Sequence, residues 1–559
     1  MTTLAADARR APWLAALPAQ NSIVWPITAL VLVFGLQLHL VFARSINWDE
    51  FHYLALVHEL ARGELDHPLQ SFHTRLFAWL PMLDLPGVDQ VVRGRVVMWL
   101  CEIASCASIA LIARRFVTLD RALCCALAYA SVIYVMQHGF AFRYDPLAAG
   151  LCMASLAILT RSRFSLWAIA GFALLMGVAF MVTIKIVLLL PAFAGIAWLR
   201  WSDSEFSRGR LAQLVAAPAL AALVAGLLYV WHVSGLAQAG DAEAILNRSG
   251  NAMFGFLLTD KLGYFAQAAL GGIPFFAALA FTLLAVARGG RFSSAERIAL
   301  AGLSAPIFWV LFYVNTYPYF YAFMLAPVAA SLAGGIGPIA DRYGTAMYVS
   351  LCAAIACVAW VADGPSRLDT QRSVQSGVSE MFAEPVNYFD FPAFLPDHRK
   401  TNFFMTNWNV VDYARRGEPV FRDTLLETPV PLLLTVEEEA NPTLFAVMND
   451  LPESRLFHPA DIAALRETYR HVWGPAWVAG VSLEARQELV WNVFVPGTYT
   501  VEGSLIVDGQ PYDDGALVTL SRGEVTLVGA EEAPSGLLWG ENIEAPARSA
   551  PARPYWTGF

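Results

Sequence analysis

The sequence predicts a polytopic α-helical membrane protein of about eleven transmembrane helices with its N-terminus inside, followed by an extracytoplasmic region of α/β plus β-sandwich character. Three observations carry this expectation. Residues 1–362 hold repeated apolar runs of about 17 to 24 residues, the length that crosses a hydrocarbon core. The loops between alternate runs are rich in arginine. Residues 363–559 hold no such run and change to short strand-like and helix-like patterns.

Composition agrees. Of 559 residues, 57% are hydrophobic and 15% charged, and mean hydropathy is +0.50; soluble globular proteins carry roughly 25% charged residues. The net charge of −9 comes mainly from acids after residue 362, which excludes nucleic acid as a partner. All seven cysteines lie in apolar runs and read as small buried residues, with neither zinc spacing nor a disulfide framework. Among 37 basic residues, only Lys185, Lys261 and Lys400 are lysine. That arginine and alanine bias points to a GC-rich bacterium, hence to its inner membrane.

The spans are expected near 24–43, 96–113, 122–137, 146–160, 165–182, 186–199, 211–231, 263–287, 298–315, 321–338 and 344–362. The first is too long for a signal-peptide core and has no small-residue cleavage box, so it reads as a retained span behind Arg9 and Arg10. Ser165 to Leu199 is nearly continuous and apolar; as one helix it would be ~52 Å long, against a ~30 Å core. Two short helices hinged at Thr183-Ile184-Lys185 fit better. With that split every inner loop is basic, from Arg114/Arg115/Arg121 to Arg342. The outer face then receives residues 44–95, 137–145, the Lys185 hinge, 232–263, 315–319 and the C-terminal region.

Chemistry is expected on that face. In "SINWDEFHYLALVHELARGEL" (Ser45 to Leu65), Asp49 and Glu50 head a helix whose Phe51, Leu54, Val57 and Leu60 recur at helical spacing. Such a helix should lie along the bilayer surface, where a partly desolvated carboxylate suits a general base. A plain helix cap is the other reading of the same acids. In "HGFAFRYDPLAAG" (His138 to Gly150), Arg143 and Asp145 precede Pro146 at a helix start: either a cap, or a carboxylate beside a phosphate-binding guanidinium. Lys185 sits in "MVTIKIVLLLPAF", either snorkelling or as a phosphate contact. Glu102, within "WLCEIASC", reads as half of an internal pair with an arginine. The histidines His52, His58, His67 and His73 lack the H-E-x-x-H spacing of a zinc site. Asn247-Arg248-Ser249 is a glycosylation triplet by pattern only. No Walker loop, dinucleotide fingerprint or nucleophile elbow occurs.

The C-terminal third divides by pattern. Residues 363–400 have loop character. From Phe403 to about Gly480, apolar runs such as "PLLLTV" alternate with a helix expected over "PADIAALRETYRHVWG" (Pro459 to Gly474), a small α/β unit. From Glu488 to Gly529, strands separated by Pro496-Gly497, Asp508-Gly509, Asp514-Gly515 and Arg522-Gly523 predict a sandwich of β-hairpins. "EAPARSAPARP" (Glu544 to Pro554) reads as a disordered end. The expected domains are thus 1–362 transmembrane, 363–482 connector and α/β unit, 483–543 β-sandwich-like module and 544–559 low-complexity tail.

The N-terminal span followed at once by "WDEFHY", the turn "FRYDPLAA", the hinge "TIKIVLLLPA" and the late "TYPYFYAFMLAPVAASLAGG" (Thr316 to Gly335) together resemble the GT-C membrane glycosyltransferases. The nearest likeness is to the branch of protein O-mannosyltransferases and lipid A aminoarabinose transferases. The resemblance implies transfer of a sugar from a polyprenyl-phosphate donor to a glycan, lipid or protein acceptor hydroxyl at the periplasmic face. It implies Asp49 as base with Glu50 in support. Arg143, Lys185, Tyr319 and Tyr321 would bind the donor phosphate. Asp145 would position Arg143 or a divalent metal ion, the one cofactor the likeness leaves open. A lipid phosphate is already a fair leaving group, so one base plus cations for the developing charge is sufficient, and a single displacement inverts the anomeric centre. The chain departs from the likeness at the late turn: many relatives carry His or Arg beside the tyrosine, and here Tyr317, Tyr319 and Tyr321 have no cation among them. A non-catalytic transporter or flippase of a lipid-linked sugar is the alternative; it predicts charges deep within several spans and a repeated architecture.

Overall fold

Long apolar helices account for the first two thirds of the chain and a mixed sheet with a second, smaller sheet for the last third. In the computed structural model the described residues are 23–237, 253–257, 259–437, 443–541 and 543–556. Arg9, Arg10 and the Asn247-Arg248-Ser249 triplet lie outside them. The chain divides into two units. One comprises the described parts of Met1–Phe42, Asp66–His73 and Arg95–Gly364; the other those of Ala43–Leu65, Thr74–Gly94 and Pro365–Phe559.

In the first unit, among the described residues, helices long and apolar enough to cross a membrane are Val24–Ala43, Gly87–Ala113, Ile184–Ser202, Arg208–Val233 and Ser294–Leu311. The first two turns of Gly87–Ala113 count with the other unit. Two further candidates are bent pairs: Leu262–Leu270 with Ile273–Arg288, at 101°, and Phe320–Ser331 with Ala333–Tyr343, at 68°. Leu166–Val182 and Thr345–Val361 are shorter apolar helices. This is a multi-pass helical membrane protein. At the sharper bend a Cβ on Gly271 would stand 2.4 Å from Ile133 Cγ2, and the Gly271 carbonyl accepts from the Ile133 amide at 2.9 Å. Only glycine permits that approach.

The apolar stretch from Ser165 to Leu199 breaks where its hinge is expected. The Leu166–Val182 helix ends, Thr183 is extended, and a 3₁₀ turn, Ile184–Leu189, leads into the Leu190–Ser202 helix. The Thr183 hydroxyl accepts from the Lys185 amide at 3.3 Å, satisfying a donor that the break would orphan.

In the second unit the sheet runs β10-β7-β12-β5-β3-β1-β2, with β4 also on β5. These strands are β1 Asn387–Phe389, β2 Arg399–Lys400, β3 Leu432–Leu434, β4 Tyr469–Trp473, β5 Ala476–Leu483, β7 Gly497–Glu502, β10 Leu517–Leu520 and β12 Ser535–Trp539. A second sheet joins β6 Glu488–Val493, β11 Gly523–Gly529, β8 Leu505–Val507 and β9 Gln510–Tyr512 in that order. β1 is parallel to β2 and β3, and the other pairs are antiparallel. Because β5 pairs with β3 on one side and β12 on the other, the α/β part and the β part share one sheet. Trp491, Tyr499, Leu505, Leu527 and Leu537, drawn from both sheets, form one apolar core, as a sandwich requires.

Four expectations need correction here. Residues 363–400 are not all loop: Leu368–Met381 is a helix whose Leu368, Gln371, Val374, Gln375 and Val378 are buried. The helix expected through Gly474 stops at Thr468, and Tyr469–Trp473 becomes β4, antiparallel to β5 with Tyr469 and Trp473 buried at its two ends. Of the four turns expected to close hairpins, only Asp508-Gly509 does; both residues have positive φ, 47° and 78°, the geometry of a two-residue hairpin turn. The other three carry the chain from one sheet to the other, so sequence neighbours pack across the core instead of pairing edge to edge. The disorder expected of Glu544 to Pro554 gives way to specific bonds: Arg548 donates to Ser376 Oγ and Arg553 to the Glu437 carbonyl, each at 2.6 Å. Tyr555 and Trp556 are buried, and Trp556 packs on Phe51 and Phe394.

Candidate functional site

In the first unit a cluster of cations and tyrosines is built from three separate stretches. The Tyr144–Arg161 helix starts after Arg143, whose backbone is extended, and places Asp145 in its first turn beside Pro146. The Thr183 break turns Lys185 toward the same point. Lys185 Nζ donates to Asp145 Oδ1 at 2.8 Å, and Arg143 Nε to Asp145 Oδ2 at 3.4 Å. The third stretch is the late aromatic turn. The Arg143 guanidinium stands 3.5 Å from the centre of the Tyr319 ring, and Lys185 Nζ is 5.7 Å from that ring and 4.6 Å from Tyr144. Arg143, Asp145 and Lys185 are all buried.

Arg143 and Lys185 flank the Asp145 carboxylate in a place poorly reached by water. Coulomb interactions are strong there. The ring beneath Arg143 supports the guanidinium without neutralising it.

Of the residues singled out in the sequence, Arg143, Asp145, Lys185 and Tyr319 therefore meet. Tyr321 belongs to the neighbouring layer. It is fully buried against Tyr134, at 5.2 Å between ring centres, and Tyr134 in turn bonds Gln267. Both oxygens of Asp145 face cations, and no group of three His, Cys, Asp or Glu side chains suited to a metal occurs among the described residues. With both oxygens taken by cations, Asp145 offers no free donor to a divalent ion in this arrangement.

Sequence reasoning passed over Lys261. It lies just before the Leu262–Leu270 helix, with Nζ 4.1 Å from the centre of Tyr317, and Tyr317 stacks on Tyr319 at 5.9 Å and 23°. The cation missing from the late turn is thus supplied by another segment. The rarity of lysine in this chain was the available signal. Lys400, the remaining lysine, is a structural residue that donates to the carbonyls of Asn402 and Phe403.

Asp49 and Glu50 lie in the second unit, on the Trp48–Arg62 helix. Asn47 caps it: its side chain accepts from the Asp49 amide at 3.0 Å, and Glu50 Oε1 accepts from the Asn47 amide at 3.1 Å. Glu50 is buried in that role, whereas Asp49 is half-buried. The apolar stripe is not left for lipid. Phe51, Leu54 and Val57 are fully buried, Phe51 against Phe394 and Trp556. This corrects the bilayer-surface expectation: the stripe is covered by protein. On the same helix Trp48 packs edge-on to Phe391, and His52 stacks on Phe404 at 4.3 Å. Gln371 fixes the helix entry, accepting from the Ile46 amide and donating to its carbonyl at 2.8 Å.

Nearby titratable groups of this unit respond to burial. Burial pushes the Glu437 carboxyl up to about 8, helped by the charge of Asp390. Burial raises Asp390 as well and lowers Lys400.

No protein-family model and no curated protein sequence matches the chain. Solved structures do. ArnT from Cupriavidus metallidurans, bound to undecaprenyl phosphate, matches with a TM-score of 0.51 at 13% identity, over 76% of this chain and 93% of that one. The Archaeoglobus fulgidus oligosaccharyltransferase in complex with Zn and sulfate gives 0.49 at 10% identity, over 92% and 96%. AglB from the same organism, in complex with an inhibitory peptide and a dolichol-phosphate, gives 0.45 at 9%, over 91% and 76%. ArnT is a GT-C superfamily member. The resemblance read from the sequence therefore holds for the architecture: this chain has the GT-C fold.

Proposed function

We propose that the chain is a membrane glycosyltransferase that moves a sugar from a polyprenyl-phosphate donor to an acceptor hydroxyl, at the outer face of a bacterial inner membrane and with inversion. The observation that carries the reading is the convergence of Arg143 and Lys185 on Asp145 and Tyr319. Two preorganised cations of this kind suit a phosphate monoester or diester and its developing charge. The undecaprenyl phosphate bound by ArnT, which shares the fold, supports a lipid phosphate as the anion.

In this reading Arg143 and Lys185 hold the donor phosphate and stabilise it as the glycosidic C–O bond breaks. Asp145 keeps the two cations together, and Tyr319 supports the guanidinium. Asp49 takes the proton of the acceptor hydroxyl as its oxygen attacks the anomeric carbon. Glu50 acts as a positioning residue that closes the cap and fixes the helix head bearing Asp49.

The test does not require the sugar to be known in advance. A deletion strain is compared with its parent by mass spectrometry of cell-envelope glycans, and the missing modification is then sought after complementation. Parent protein should restore it, while Asp49→Asn and Arg143→Ala should not. Full restoration by both variants would overturn the assignment.

A further inference from the structure

Glu102 sits in the Gly87–Ala113 helix, fully buried, and no arginine pairs with it among the described residues. Its neighbour is Tyr129. The Tyr129 hydroxyl lies 3.2 Å from Glu102 Oε2 and 2.6 Å from the Ala322 carbonyl oxygen. A tyrosine hydroxyl has one hydrogen. A carbonyl can only accept, so the shorter contact takes that hydrogen, and the proton between Tyr129 and Glu102 comes from the carboxyl. Glu102 Oε1 has no hydrogen-bond partner among the described residues, which likewise disfavours an ionised group in so dry a place.

The carboxyl also touches the turn that carries the phosphate-binding arginine. A Cβ on Gly139 would meet Glu102 Cδ at 3.0 Å and Oε2 at 3.1 Å, so the acid packs directly on the Gly139 backbone. From Gly139 the turn is tight. The Ala141 amide donates to the His138 carbonyl, and the Arg143 amide to the Ala141 carbonyl at 2.7 Å. On the other side, Ala322 is three residues beyond Tyr319, in the first turn of the Phe320–Ser331 helix. Arg143 and Tyr319 are the two partners of the 3.5 Å stack.

We infer that Glu102 is a positioning residue for lipid-phosphate binding: as a neutral acid it ties the Gly139 turn to the Phe320–Ser331 helix through Tyr129, and so sets the spacing of Arg143 over Tyr319. The inference rests on the reading of that stack as part of the phosphate site. It requires a hydrogen-bond donor at position 102 and no negative charge, which separates it from a carboxylate that titrates during catalysis or one that merely fills space.

The experiment measures undecaprenyl phosphate binding by the full-length protein in lipid nanodiscs. Glu102→Leu and Tyr129→Phe should each bind at least about tenfold more weakly. Glu102→Gln, whose amide N–H can donate to Tyr129 Oη, should stay within about threefold of the parent. Tyr129→Phe keeps the ring packing and decides the matter if Glu102→Leu does not fold. Infrared difference spectra should show a protonated carboxyl band that Glu102→Gln removes and that shifts when the lipid phosphate is added. Parent-like binding by Tyr129→Phe, or a Glu102→Gln variant as weak as Glu102→Leu, overturns the inference. An Arg143→Ala control separates the two failures. If it loses binding while Glu102→Leu does not, only the role of Glu102 falls. If it binds as the parent does, the phosphate site falls and Glu102 with it.

Discussion

The Arg143 guanidinium rests 3.5 Å from the centre of the Tyr319 ring while its Nε reaches Asp145, so one buried cation is held by a π face and a carboxylate at once. Desolvated cation–π contacts contribute ~2 kcal/mol. Tyr319→Ala should therefore weaken undecaprenyl phosphate binding about 30-fold, whereas Tyr319→Phe, which keeps the ring, should stay near the parent. Lys261→Met, at the more open Tyr317 end, should cost only a few-fold. Titration of the purified protein with the lipid phosphate measures all three.

Asp145 bonds Lys185 Nζ at 2.8 Å and Arg143 Nε at 3.4 Å. Asp145→Asn removes the carboxylate that pairs with buried Lys185 and should lower stability by about 3–5 kcal/mol, the cost of stranding a buried charge. Adding Lys185→Met to it should recover part of that loss, giving non-additivity in a double-mutant cycle of thermal unfolding. Undecaprenyl phosphate should raise the melting temperature of Asp145→Asn more than that of the parent, because the phosphate replaces the missing anion.

The two acids at the head of the Trp48–Arg62 helix should separate by substitution. Glu50→Gln preserves the cap, since glutamine fills the same place in a capping box. It should leave the rate at which the envelope glycan is restored nearly unchanged. Asn47→Ala should cost about 1 kcal/mol of helix stability. Asp49→Asn should reduce the restoration rate by roughly 100-fold or more, the usual weight of a general base.

Trp556 packs against Phe51 and Phe394 in the second unit, and its indole N–H donates to the Val436 carbonyl. Trp556→Ala opens that cluster and should cost about 3–5 kcal/mol locally. Amide hydrogen exchange should quicken in the peptide spanning Trp48–Arg62, the helix whose Phe51 loses its cover.

Glu437 gives the second unit a pH dependence of defined sign. Burial raises its carboxyl from 4.5 to about 8. Below about pH 4.5 the folded and unfolded chains are both protonated there. Between that value and about 8 only the folded chain keeps the proton, so stability falls as pH rises through this window and levels off above it. Urea unfolding followed by tryptophan fluorescence at pH 5, 7 and 9 should show that decline. Glu437→Gln should flatten it.

Several parts of the candidate site were legible in the chain and others were not, for a consistent reason. Arg143, Asp145, Lys185 and Tyr319 each announce themselves as charges or aromatics at the end of an apolar run. The partner of Glu102 was read as an arginine and is Tyr129. Lys261 escaped notice because its ring partner, Tyr317, is distant in sequence. The capping role of Glu50 was visible in the Asn47-to-Glu50 spacing, while the protein cover over Phe51 was not, since Trp556 comes from the other end of the chain.

What the sequence alone determined are the local properties. The apolar run lengths, the break at Thr183 and the two-residue turn at Asp508-Gly509 all follow from hydropathy or backbone preference over a few neighbouring residues. The tertiary structure decided which elements meet: the crossings between the two β-sheets, the switch from helix to strand at Tyr469, and the neutral acid behind the Arg143 turn. Those choices depend on burial against residues tens to hundreds of positions away, and periodicity along a chain carries no record of which distant surface will cover a given face.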